Sequence, residues 1–245
     1  MDAILYVAGR AHRLGTALTK GHKVLLEFGG KSLLERHVML LEQMGVKKLH
    51  VVTGHGRTHM QQAIADLATR YKLEICEIYN ADFMEGSVIS MQVSIPVLEQ
   101  IREPVLLMDG DVLYDSRMLE RLVHSKQQSV LLVDQNFSTA DDDPVLVPMR
   151  GGKPFDFVKK WQGEAETIGE SIGFFKMAAE DVRGLIQVTK ERSARSRTDS
   201  YDVVLRALVQ RSVFGAEDVT GLPWTEVDFP HDIEFAEKVI LPSLR

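Results

Sequence analysis

The first part of the chain combines a short apolar strand pattern with a basic loop. Residues 2–7 are largely apolar and run directly into a turn that contains Gly9, Arg10 and Arg13, and Lys23 follows before the next apolar run. Where glycine leaves room, backbone N–H groups can approach an anion, and arginine and lysine side chains neutralise its charge. The segment therefore predicts a site for a phosphorylated ligand. The alternative is an ordinary strand-to-helix turn, in which glycine serves the backbone and the arginine and lysine side chains are only solvated surface charges. Neither the dinucleotide glycine fingerprint nor the P-loop motif is present.

Two pairs of acids, each separated by one residue, form the second chemical signal. Asp109 and Asp111 flank a glycine directly after an apolar run, and Glu226 and Asp228 follow an apolar stretch late in the chain. Alternate residues of an extended segment face the same side, so each pair can present oxygens to a hard cation such as Mg²⁺. Because Asp-Gly is also a common turn sequence, neither pair is decisive alone. Together they predict a magnesium site that phosphate oxygens would complete.

The elements that must position these residues alternate between strands and helices in the first half. Ser32 with Glu35, and Thr58 with Gln61, form capping-box patterns that predict two helix starts, and Asp115 is a candidate cap of a later helix. The predicted strands are residues 2–7, 49–53, 73–78 and 104–108, and a further helix is predicted over 87–101. Such alternation favours a mostly parallel sheet covered on both faces, with ligands bound beyond the carboxyl ends of its strands. The basic loop and the first acid pair both follow strands and are expected at this edge.

Beyond residue 128 the pattern changes to short strand-like runs separated by polar loops. The predicted strands are residues 129–133, 145–149, 155–158 and 172–176, and the predicted helices are 179–191, 199–211 and 230–241. The acidic run 141–143 is interpreted as a solvated turn, and Asp199 is a candidate helix cap. No repeat, low-complexity tract or flexible linker divides the sequence, so residues 1–245 are expected to form one domain.

Composition restricts the classes of function. The 245 residues are 44% hydrophobic and 26% charged, and the net charge of −6 argues against nonspecific nucleic-acid binding. No apolar run is long enough to span a membrane, and the N-terminal run is too short for a signal peptide, so the expected location is the cytoplasm. The single cysteine, Cys76, excludes an intrachain disulfide and a cysteine-rich metal site. Its alternating apolar surroundings predict a small core residue.

Several motifs together resemble one enzyme family. Residues 7–14 (VAGRAHRL) resemble the A-A-G-x-G-x-R-L signature of MobA-like and sugar-phosphate nucleotidyltransferases, and residues 23–26 (KVLL) resemble their P-K-x-L-L. Residues 109–111 (DGD) look like the D-x-D of that family, residues 170–174 (ESIGF) like a later motif, and residues 224–232 (WTEVDFPHD) like the terminal W-x-E-I-D-x-P-x-D. The motifs follow the family order across nearly the whole chain. They are most similar to the branch that contains phosphocholine and 2-aminoethylphosphonate cytidylyltransferases.

The resemblance implies an α/β protein with a three-layer, Rossmann-like nucleotide-diphospho-sugar transferase fold and a mostly parallel mixed sheet. It implies a nucleotide-binding half over residues 1–128 and an acceptor-binding half over residues 129–245. The implied nucleotide contacts are Ala8, Gly9, Arg10, Ser87 and Asp109. The implied catalytic residues are Arg13, Lys23 and Lys160, with Lys159 as the alternative to Lys160, and the implied metal ligands are Asp111, Glu226 and Asp228. The implied acceptor contacts are Glu170, Trp161, Trp224 and Asp202.

The implied activity is Mg²⁺-dependent transfer of CMP from CTP to a small phospho- or phosphono-alcohol or amine, with release of pyrophosphate. The alternatives are a sugar-1-phosphate nucleotidyltransferase that uses UTP or GTP, a glycosyltransferase of the same fold, and a non-catalytic nucleotide-binding domain. Arg13 and Lys23 argue against the glycosyltransferase, which has less need to grip a triphosphate. Intact Lys23, Asp111 and Asp228 argue against the non-catalytic domain. A homodimer is compatible with the resemblance.

A cationic group on the acceptor is the expectation from the second half of the chain. An ammonium group is attracted to aromatic ring faces and to carboxylates, which both tryptophans and Glu170 supply. Packing is the commoner role of a tryptophan, and it remains the alternative for Trp161 and Trp224.

Three positions depart from the family pattern. Ala11 replaces the second glycine of the basic loop, and a negative φ at this position would accommodate its side chain. His22 replaces the proline before Lys23, and Gly86 with Ser87 stands where the choline-type branch has two asparagines. The missing asparagines bear on recognition of the base or the acceptor, so the reaction type is better defined than the substrate.

Overall fold

The computed structural model describes residues 1–18, 21–137 and 144–245, so the acidic turn predicted at 141–143 lies outside the described residues. Segments with alternating or continuous apolar residues form strands, and segments with helical periodicity form the helices between them. The strands are β1 (Asp2–Tyr6), β2 (Glu27–Phe28), β3 (Lys31–Ser32), β4 (Lys48–Thr53), β5 (Glu74–Tyr79), β6 (Val105–Asp109), β7 (Val112–Tyr114), β8 (Val130–Asp134), β9 (Leu146–Arg150), β10 (Lys153–Pro154), β11 (Thr167–Met177), β12 (Gly215–Asp218) and β13 (Trp224–Glu226).

The helices lie mainly between these strands. They are α1 (Leu33–Gln43), α2 (Arg57–Arg70), α3 (Ser87–Val93), α4 (Ile95–Leu98), α5 (Ser116–His124), α6 (Val182–Arg195), α7 (Asp202–Gln210) and α8 (Pro230–Phe235). Short 3₁₀ turns lie at His12–Ala17, Lys23–Leu25 and Leu241–Ser243, and a π-helical turn covers Ala236–Ile240. None of the helices in the three described ranges has the length and apolar character needed to cross a membrane.

A mixed sheet of nine strands lies at the centre of the fold. Its first half is parallel, in the order β5, β4, β1 and β6. The long strand β11 lies antiparallel to β6 and extends the sheet to β8 and β9. The predicted α/β fold with a mixed, mostly parallel central sheet is confirmed, while its division into a nucleotide half and an acceptor half stays a prediction.

Two hydrophobic layers cover the two faces of this sheet. Alternate residues of β1 divide between them: Ala3 and Leu5 join the layer that contains residues of α1, α2 and α5, and Ile4 joins the layer that contains residues of α3, α6 and α7. Because side chains of a strand point alternately to opposite faces, the consecutive apolar residues of this central strand can fill both layers. The carboxyl ends of β1 and β6 are thereby held side by side, with Tyr6 paired to Asp109.

In the first half of the chain, the observed helix boundaries agree with the predicted ones at α1 and differ from them at α2, α3 and α4. Ser32 caps α1, because its hydroxyl accepts a hydrogen bond from the amide of Glu35 at 3.1 Å, as predicted. The cap predicted at Thr58 is wrong, because α2 starts after Gly56, whose φ of 62° sets the turn. The helix predicted over 87–101 divides at Ser94 into α3 and α4, since Pro96 has no N–H with which to continue it.

Edge position explains the exposure of the single cysteine. Cys76 lies on β5, the last strand at one edge of the sheet, and is only partly buried. The prediction that it is a core residue is therefore wrong, because an edge strand keeps one side open to solvent.

The second half agrees less well with the sequence patterns. Residues 155–158 are not a strand, and only Val158 bridges to Leu146. Strand β12 was not predicted, and β13 covers only the start of the extended segment expected to carry Glu226 and Asp228. The final helix changes to a π-helical turn after Phe235. Asp199 does not cap α7, because Tyr201 occupies that position.

Candidate active site

The basic loop begins where β1 ends in the middle of the sheet. The carbonyl of Ala8 accepts a hydrogen bond from the amide of His55 at 3.1 Å, which ties the loop to the end of β4. A side chain placed on Gly9 would meet nothing within 4 Å, so the backbone is open to a ligand here. Ala11 has a φ of 50°, so it does not adopt the negative φ that would accommodate its side chain. The tight turn holds Ala11 in the left-handed conformation, at a cost of about 1 to 2 kcal/mol.

His22 fixes the turn that carries Lys23. Its ring is 2% exposed, and Nδ1 accepts a hydrogen bond from the amide of Val24 at 3.2 Å. Burial lowers the pKa of His22 to about 4, so the ring is neutral at pH 7 and Nδ1 is free to accept. His22 thus caps the 3₁₀ turn that begins at Lys23, while Val24 and Leu25 are buried in the core.

Strand pairing brings the two acid pairs together. Strands β7 and β13 pair antiparallel, with Glu226 opposite Val112. The amide of Val227 donates to the carbonyl of Asp111 at 3.0 Å, so the two acid-bearing segments are bonded through their backbones. At the end of β13 the carboxylate of Asp232 accepts from the amide of Asp228 at 2.9 Å. These bonds fix Asp228 beside Asp111, although the residues lie far apart in the sequence.

Lys23 links the two acid pairs. Its ammonium contacts the carboxylate of Asp111 and lies 2.6 Å from Oδ1 of Asp228. The guanidinium of Arg13 lies 3.3 Å from Oδ2 of Asp228. The predicted loop residues Arg13 and Lys23 and the predicted metal ligands Asp111 and Asp228 therefore form one ion cluster.

The ionisable groups of this cluster shift one another's pKa values. Burial disfavours the ammonium of Lys23, but Asp111 and Asp228 outweigh burial and raise its pKa. Burial also opposes ionisation of Asp111, and Lys23 outweighs it and lowers the pKa of that carboxyl. For Asp109, burial and the charge of Asp111 act together and raise the pKa well above its usual range. Lys23 and Asp111 are thus held as a charged pair, whereas both burial and the neighbouring carboxylate oppose ionisation of Asp109.

Glu226 experiences the same excess of negative charge. Desolvation and the charges of Asp111, Asp109 and Asp228 raise its pKa well above the usual range. Because its side chain remains open to solvent, we assign the larger share of this effect to the neighbouring charges. The site thus holds more carboxylates than Lys23 and Arg13 can neutralise, which favours an additional cation.

His37 supports the turn between the two aspartates of the first pair. Nε2 of its fully buried ring lies 3.2 Å from the carbonyl of Gly110, and Nδ1 lies 3.3 Å from the hydroxyl of Tyr114. Burial lowers the pKa of His37 to about 4, so the ring is neutral. Since a carbonyl only accepts, we place the proton on Nε2, and Nδ1 accepts from Tyr114. No pattern in the sequence indicated this role.

An open cavity of about 800 Å³ adjoins the ion cluster. Its walls combine aromatic rings with charged side chains. The lining includes Arg13, Phe137, Lys159, Glu170, Trp224, Glu226, Asp228, Phe229, His231, Asp232, Glu234, Phe235, Lys238 and Val239. The indole N–H of Trp224 donates to Asp134 at 2.8 Å, and the guanidinium of Arg13 lies 5.2 Å from the ring centroid of Phe229. The cavity wall thus offers basic groups that can meet a phosphate, and carboxylates and aromatic rings that can meet an organic group of positive charge.

The structure brings some of the predicted acceptor residues to this cavity and leaves others out. Glu170 and Trp224 line it, and their contact with an acceptor stays a prediction. Trp161 packs against Phe155, with ring centroids 5.4 Å apart, and is absent from the lining. Lys159 lines the cavity, whereas Lys160 does not, so the geometry favours the alternative lysine.

The predicted nucleotide-side residues lie around the loop that precedes α3. Arg10 reaches Met84 of this loop, with Nη1 3.7 Å from Sδ. The hydroxyl of Ser87 accepts a hydrogen bond from the amide of Tyr201 at 2.9 Å. The hydroxyl of Tyr201 donates to the carboxylate of Asp109. Asp202 belongs to this region rather than to the cavity, because its charge acts on Asp109.

The donor set fits a magnesium ion that arrives with a phosphorylated ligand. Within the three described ranges, no group of three or more histidine, cysteine or acidic side chains is arranged to hold a metal by itself. The predicted triad of Asp111, Glu226 and Asp228 is therefore not preformed, because Lys23 lies between Asp111 and Asp228. Mg²⁺ commonly takes one or two carboxylates and completes its shell with water and phosphate oxygens, which this arrangement provides.

Sequence reasoning missed part of the cavity wall. Phe229, His231 and Phe235 were not predicted, although Phe229 lies inside the terminal motif directly after Asp228. Phe235 is 46% exposed and Val239 is 48% exposed, so the last helical segment turns apolar side chains toward this open space. Apolar residues on an exposed helix face were the signal that could have indicated this wall.

The chain is similar in sequence and fold to known nucleotidyltransferases. The chain is 25% identical over 240 residues to the bifunctional IPC transferase and DIPP synthase of Thermococcus kodakarensis, matching 98% of this chain and spanning 50% of that protein. It is 20% identical to the CTP:phosphoglutamine cytidylyltransferase of Campylobacter jejuni, over 96% of this chain and 98% of that one. The solved structure of the CTP:phosphocholine cytidylyltransferase of Streptococcus pneumoniae superposes with a TM-score of 0.75 at 16% identity, covering 97% and 98% of the two chains.

A family model decides between the enzyme classes considered from the sequence. The model of the MobA-like NTP transferase domain matches residues 3–196, which include the basic loop, the first acid pair and β11. The glycosyltransferase and the non-catalytic domain are therefore the weaker interpretations. The chain belongs to the family of MobA-like NTP transferase domains and is a nucleotidyltransferase.

Proposed function

We propose that the protein is a Mg²⁺-dependent cytidylyltransferase that transfers CMP from CTP to a small phospho- or phosphono-alcohol or amine. The observation that carries this proposal is the ammonium of Lys23, held between Asp111 and Asp228, of which Asp228 also lines the cavity. CTP is favoured as the donor because relatives that match nearly the whole of this chain are named for CTP-dependent reactions.

The reaction joins the acceptor to the nucleotide through a new phosphorus–oxygen bond. An oxygen of the acceptor phosphate or phosphonate attacks the α-phosphorus of CTP, and the bond from that phosphorus to the bridging oxygen of the β-phosphate breaks. Pyrophosphate leaves with the electron pair of the broken bond. In such a transfer the protein mainly positions the reactants and neutralises their charge, because the acceptor oxygen already carries the electron pair that forms the new bond.

Lys23 and Arg13 supply this neutralisation. In the ligand-free protein their cationic groups contact Asp228, and Lys23 also contacts Asp111. We infer that these cations contact the phosphates when CTP binds and stabilise the charge that builds on the leaving oxygen. Asp111 and Asp228 would then hold Mg²⁺, which supplies further charge neutralisation on the phosphate oxygens.

The cavity defines the acceptor by its charge pattern. Arg13 and Lys159 lie on its wall and can receive an anionic phosphate or phosphonate. Trp224, fixed by Asp134, and the carboxylate of Glu170 lie on the same wall and suit an ammonium group through cation–π contact and ion pairing. We therefore propose an acceptor with an anionic end and a cationic end.

A pyrophosphate-release screen tests this function. The purified protein is incubated with Mg²⁺, each of the four nucleoside triphosphates and each member of an acceptor panel. The panel contains phosphocholine, phosphoethanolamine, 2-aminoethylphosphonate, inositol phosphate and glucose 1-phosphate. We expect release with CTP and one of the amine-bearing acceptors.

The controls separate the donor, the acceptor and the site. Asp111→Asn should abolish release, while Asp66→Asn, a change of an exposed aspartate that pairs with Arg70, should leave it intact. Release with UTP or GTP and glucose 1-phosphate alone would replace the proposal with a sugar-1-phosphate nucleotidyltransferase. Release with inositol phosphate but with none of the amines would retain CTP transfer and overturn the cationic acceptor.

A further inference from the structure

The connection between α6 and α7 lies against the loop that precedes α3. We call residues 196–201 the α6–α7 segment and residues 81–86 the α3 loop. The amide of Gly86 donates to the carbonyl of Arg197 at 2.8 Å, and the amide of Val88 donates to the carbonyl of Asp199 at 3.1 Å. Two backbone hydrogen bonds thus join parts of the chain that are more than 100 residues apart in sequence.

Side chains strengthen the same contact. Arg197 pairs with Glu85 at 2.5 Å and with Asp82 at 2.8 Å, so its guanidinium spans the α3 loop. The amide of Tyr201 donates to the hydroxyl of Ser87 at 2.9 Å. Because backbone and charged contacts act together, the α6–α7 segment is docked at several points rather than at one.

Gly86 makes this docking sterically feasible. A Cβ atom at this position would lie 2.1 Å from the carbonyl oxygen of Asp199 and 2.4 Å from the carbonyl carbon of Thr198. Both are backbone atoms, which cannot move aside as a flexible side chain can. The departure at Gly86 from the asparagine of the choline-type pattern is thus matched by backbone that fills the space a side chain would take.

Tyr201 connects the docked segment to the first acid pair. Its hydroxyl donates to the carboxylate of Asp109, and its ring lies 5.9 Å from that of Tyr6 at the end of β1. On the strand beside Asp109, a Cβ atom at Gly173 would lie 2.2 Å from the Oδ2 atom of Asp109. The Asp109 carboxyl is therefore held between the Tyr201 hydroxyl and the backbone of β11.

We propose that Tyr201 is a positioning residue for Asp109 and that docking of the α6–α7 segment on Gly86 holds Tyr201 in place. The α3 loop, the α6–α7 segment and Asp109 then form one nucleotide-side unit, in which the docked backbone takes the place of the asparagine pair. The consequence for catalysis rests on the proposed function, since it requires that Asp109 contact the nucleotide. The docking itself does not depend on that function.

Removal of the Tyr201 hydroxyl tests the positioning role. For Tyr201→Phe we expect the KM for CTP to rise about 10-fold, the loss typical of one hydrogen bond to a charged group, while the KM for the acceptor stays unchanged. In an Asp109→Asn background the same change should cost less than about 2-fold, because the two residues act through one contact. An unchanged KM for CTP in Tyr201→Phe, or an equal loss in both backgrounds, would overturn the role.

Limited proteolysis tests the docking without any need for activity. Gly86→Ala is compared with Gly184→Ala, a helical position where a Cβ atom would meet only Leu208 at 3.9 Å. We expect trypsin to cleave after Arg197 at least about 10-fold faster in Gly86→Ala than in the wild type, with the Gly184→Ala control unchanged, because exposure of the bond requires local opening. Equal cleavage in all three proteins would overturn the docking. If the wild type used no nucleoside triphosphate, the proposed function would be refuted, but the proteolysis result would still test the docking.

Discussion

The reaction centre and the acceptor wall are built in different ways. The centre joins the ends of central elements, with the side chain of Lys23 only 15% exposed between two carboxylates. The acceptor wall includes the final helical segment, where Phe235 and Val239 remain about half exposed. The centre is thus determined by backbone pairing in the core, whereas this part of the wall is open to solvent.

This difference indicates which part of the molecule can change. The amide of Val227 bonds the carbonyl of Asp111, so a shift of either acid pair would disturb the strand pairing of β7 and β13. A substitution on the cavity wall at Phe235 disturbs no such pairing. We therefore expect substitutions at the centre to abolish the chemical step and substitutions on the wall to alter the choice of acceptor.

The largest effect is expected at the two aspartates that hold Lys23. Asp111→Asn and Asp228→Asn should each lower turnover on the order of 10³-fold or more, because the amide keeps the shape and removes the charge that a cation needs. Steady-state pyrophosphate release at saturating Mg²⁺ measures this, with circular dichroism to verify folding. A variant that retains near wild-type turnover would remove that aspartate from the metal site.

Lys23 is expected to have the next largest effect. Lys23→Ala should cost on the order of 10²-fold in turnover, since it removes a cation aimed at charge that develops during transfer. Single-turnover kinetics separate the chemical step from binding. If the chemical step is unchanged and only CTP affinity falls, Lys23 is a binding residue and the centre is less specialised than we propose.

Substitution of each of the two tryptophans tests which of them belongs to the acceptor wall. Trp224→Ala should raise the KM for the acceptor about 10-fold without changing the KM for CTP, because Trp224 lines the cavity and attracts a cationic group. Trp161→Ala is the matched control, since Trp161 packs on Phe155 outside the cavity. Equal effects of the two substitutions on acceptor KM would contradict the assignment of this wall.

The smallest effect concerns stability rather than activity. The folded pKa of His37 is about 4, below the value of about 6.5 expected for an unfolded chain. The unfolded state then binds a proton that the folded state does not, so the free energy of unfolding falls as the pH drops from 6.5 toward 4. Between pH 7 and pH 5 this linkage amounts to about 2 kcal/mol.

Urea unfolding at these two pH values measures the linkage. Between pH 7 and pH 5 the free energy of unfolding of His37→Gln should fall by about 2 kcal/mol less than that of the wild type, because the variant has no buried imidazole to protonate. His124→Gln is the control, since His124 is exposed at the end of α5. Parallel behaviour of the wild type and His37→Gln would show that His37 is not held neutral by burial.

Patterns of local character predicted the first half of the fold well. Strands β1, β4, β5 and β6 were expected within about a residue or two of their observed ends, because apolar or alternating runs with flanking turns specify strands. The acid pairs and basic loop could also be identified, since short motifs place chemistry directly after these strands. The family match over residues 3–196 confirms the predicted family, while the roles of the individual motif residues stay predictions.

The remainder depends on contacts that sequence spacing does not encode. Lys159 and Lys160 are neighbours, and only the course of the backbone after β10 decides that Lys159 lines the cavity. Trp161 and Trp224 are chemically identical, yet only Trp224 is bonded to Asp134 and fixed on the wall. The contact of Tyr201 with Asp109 likewise requires the docked α6–α7 segment, which no periodicity predicts.

The central claim is that an acceptor oxygen displaces pyrophosphate from CTP at the centre formed by Lys23, Asp111 and Asp228. The most direct measurement uses an amine-bearing acceptor whose phosphate or phosphonate oxygens are labelled with ¹⁸O, and follows both products by mass spectrometry. We expect a CMP–acceptor product that retains all of the label, unlabelled pyrophosphate, and neither product with Asp111→Asn. Label in the pyrophosphate, or release of free CMP without a joined product, would contradict the account.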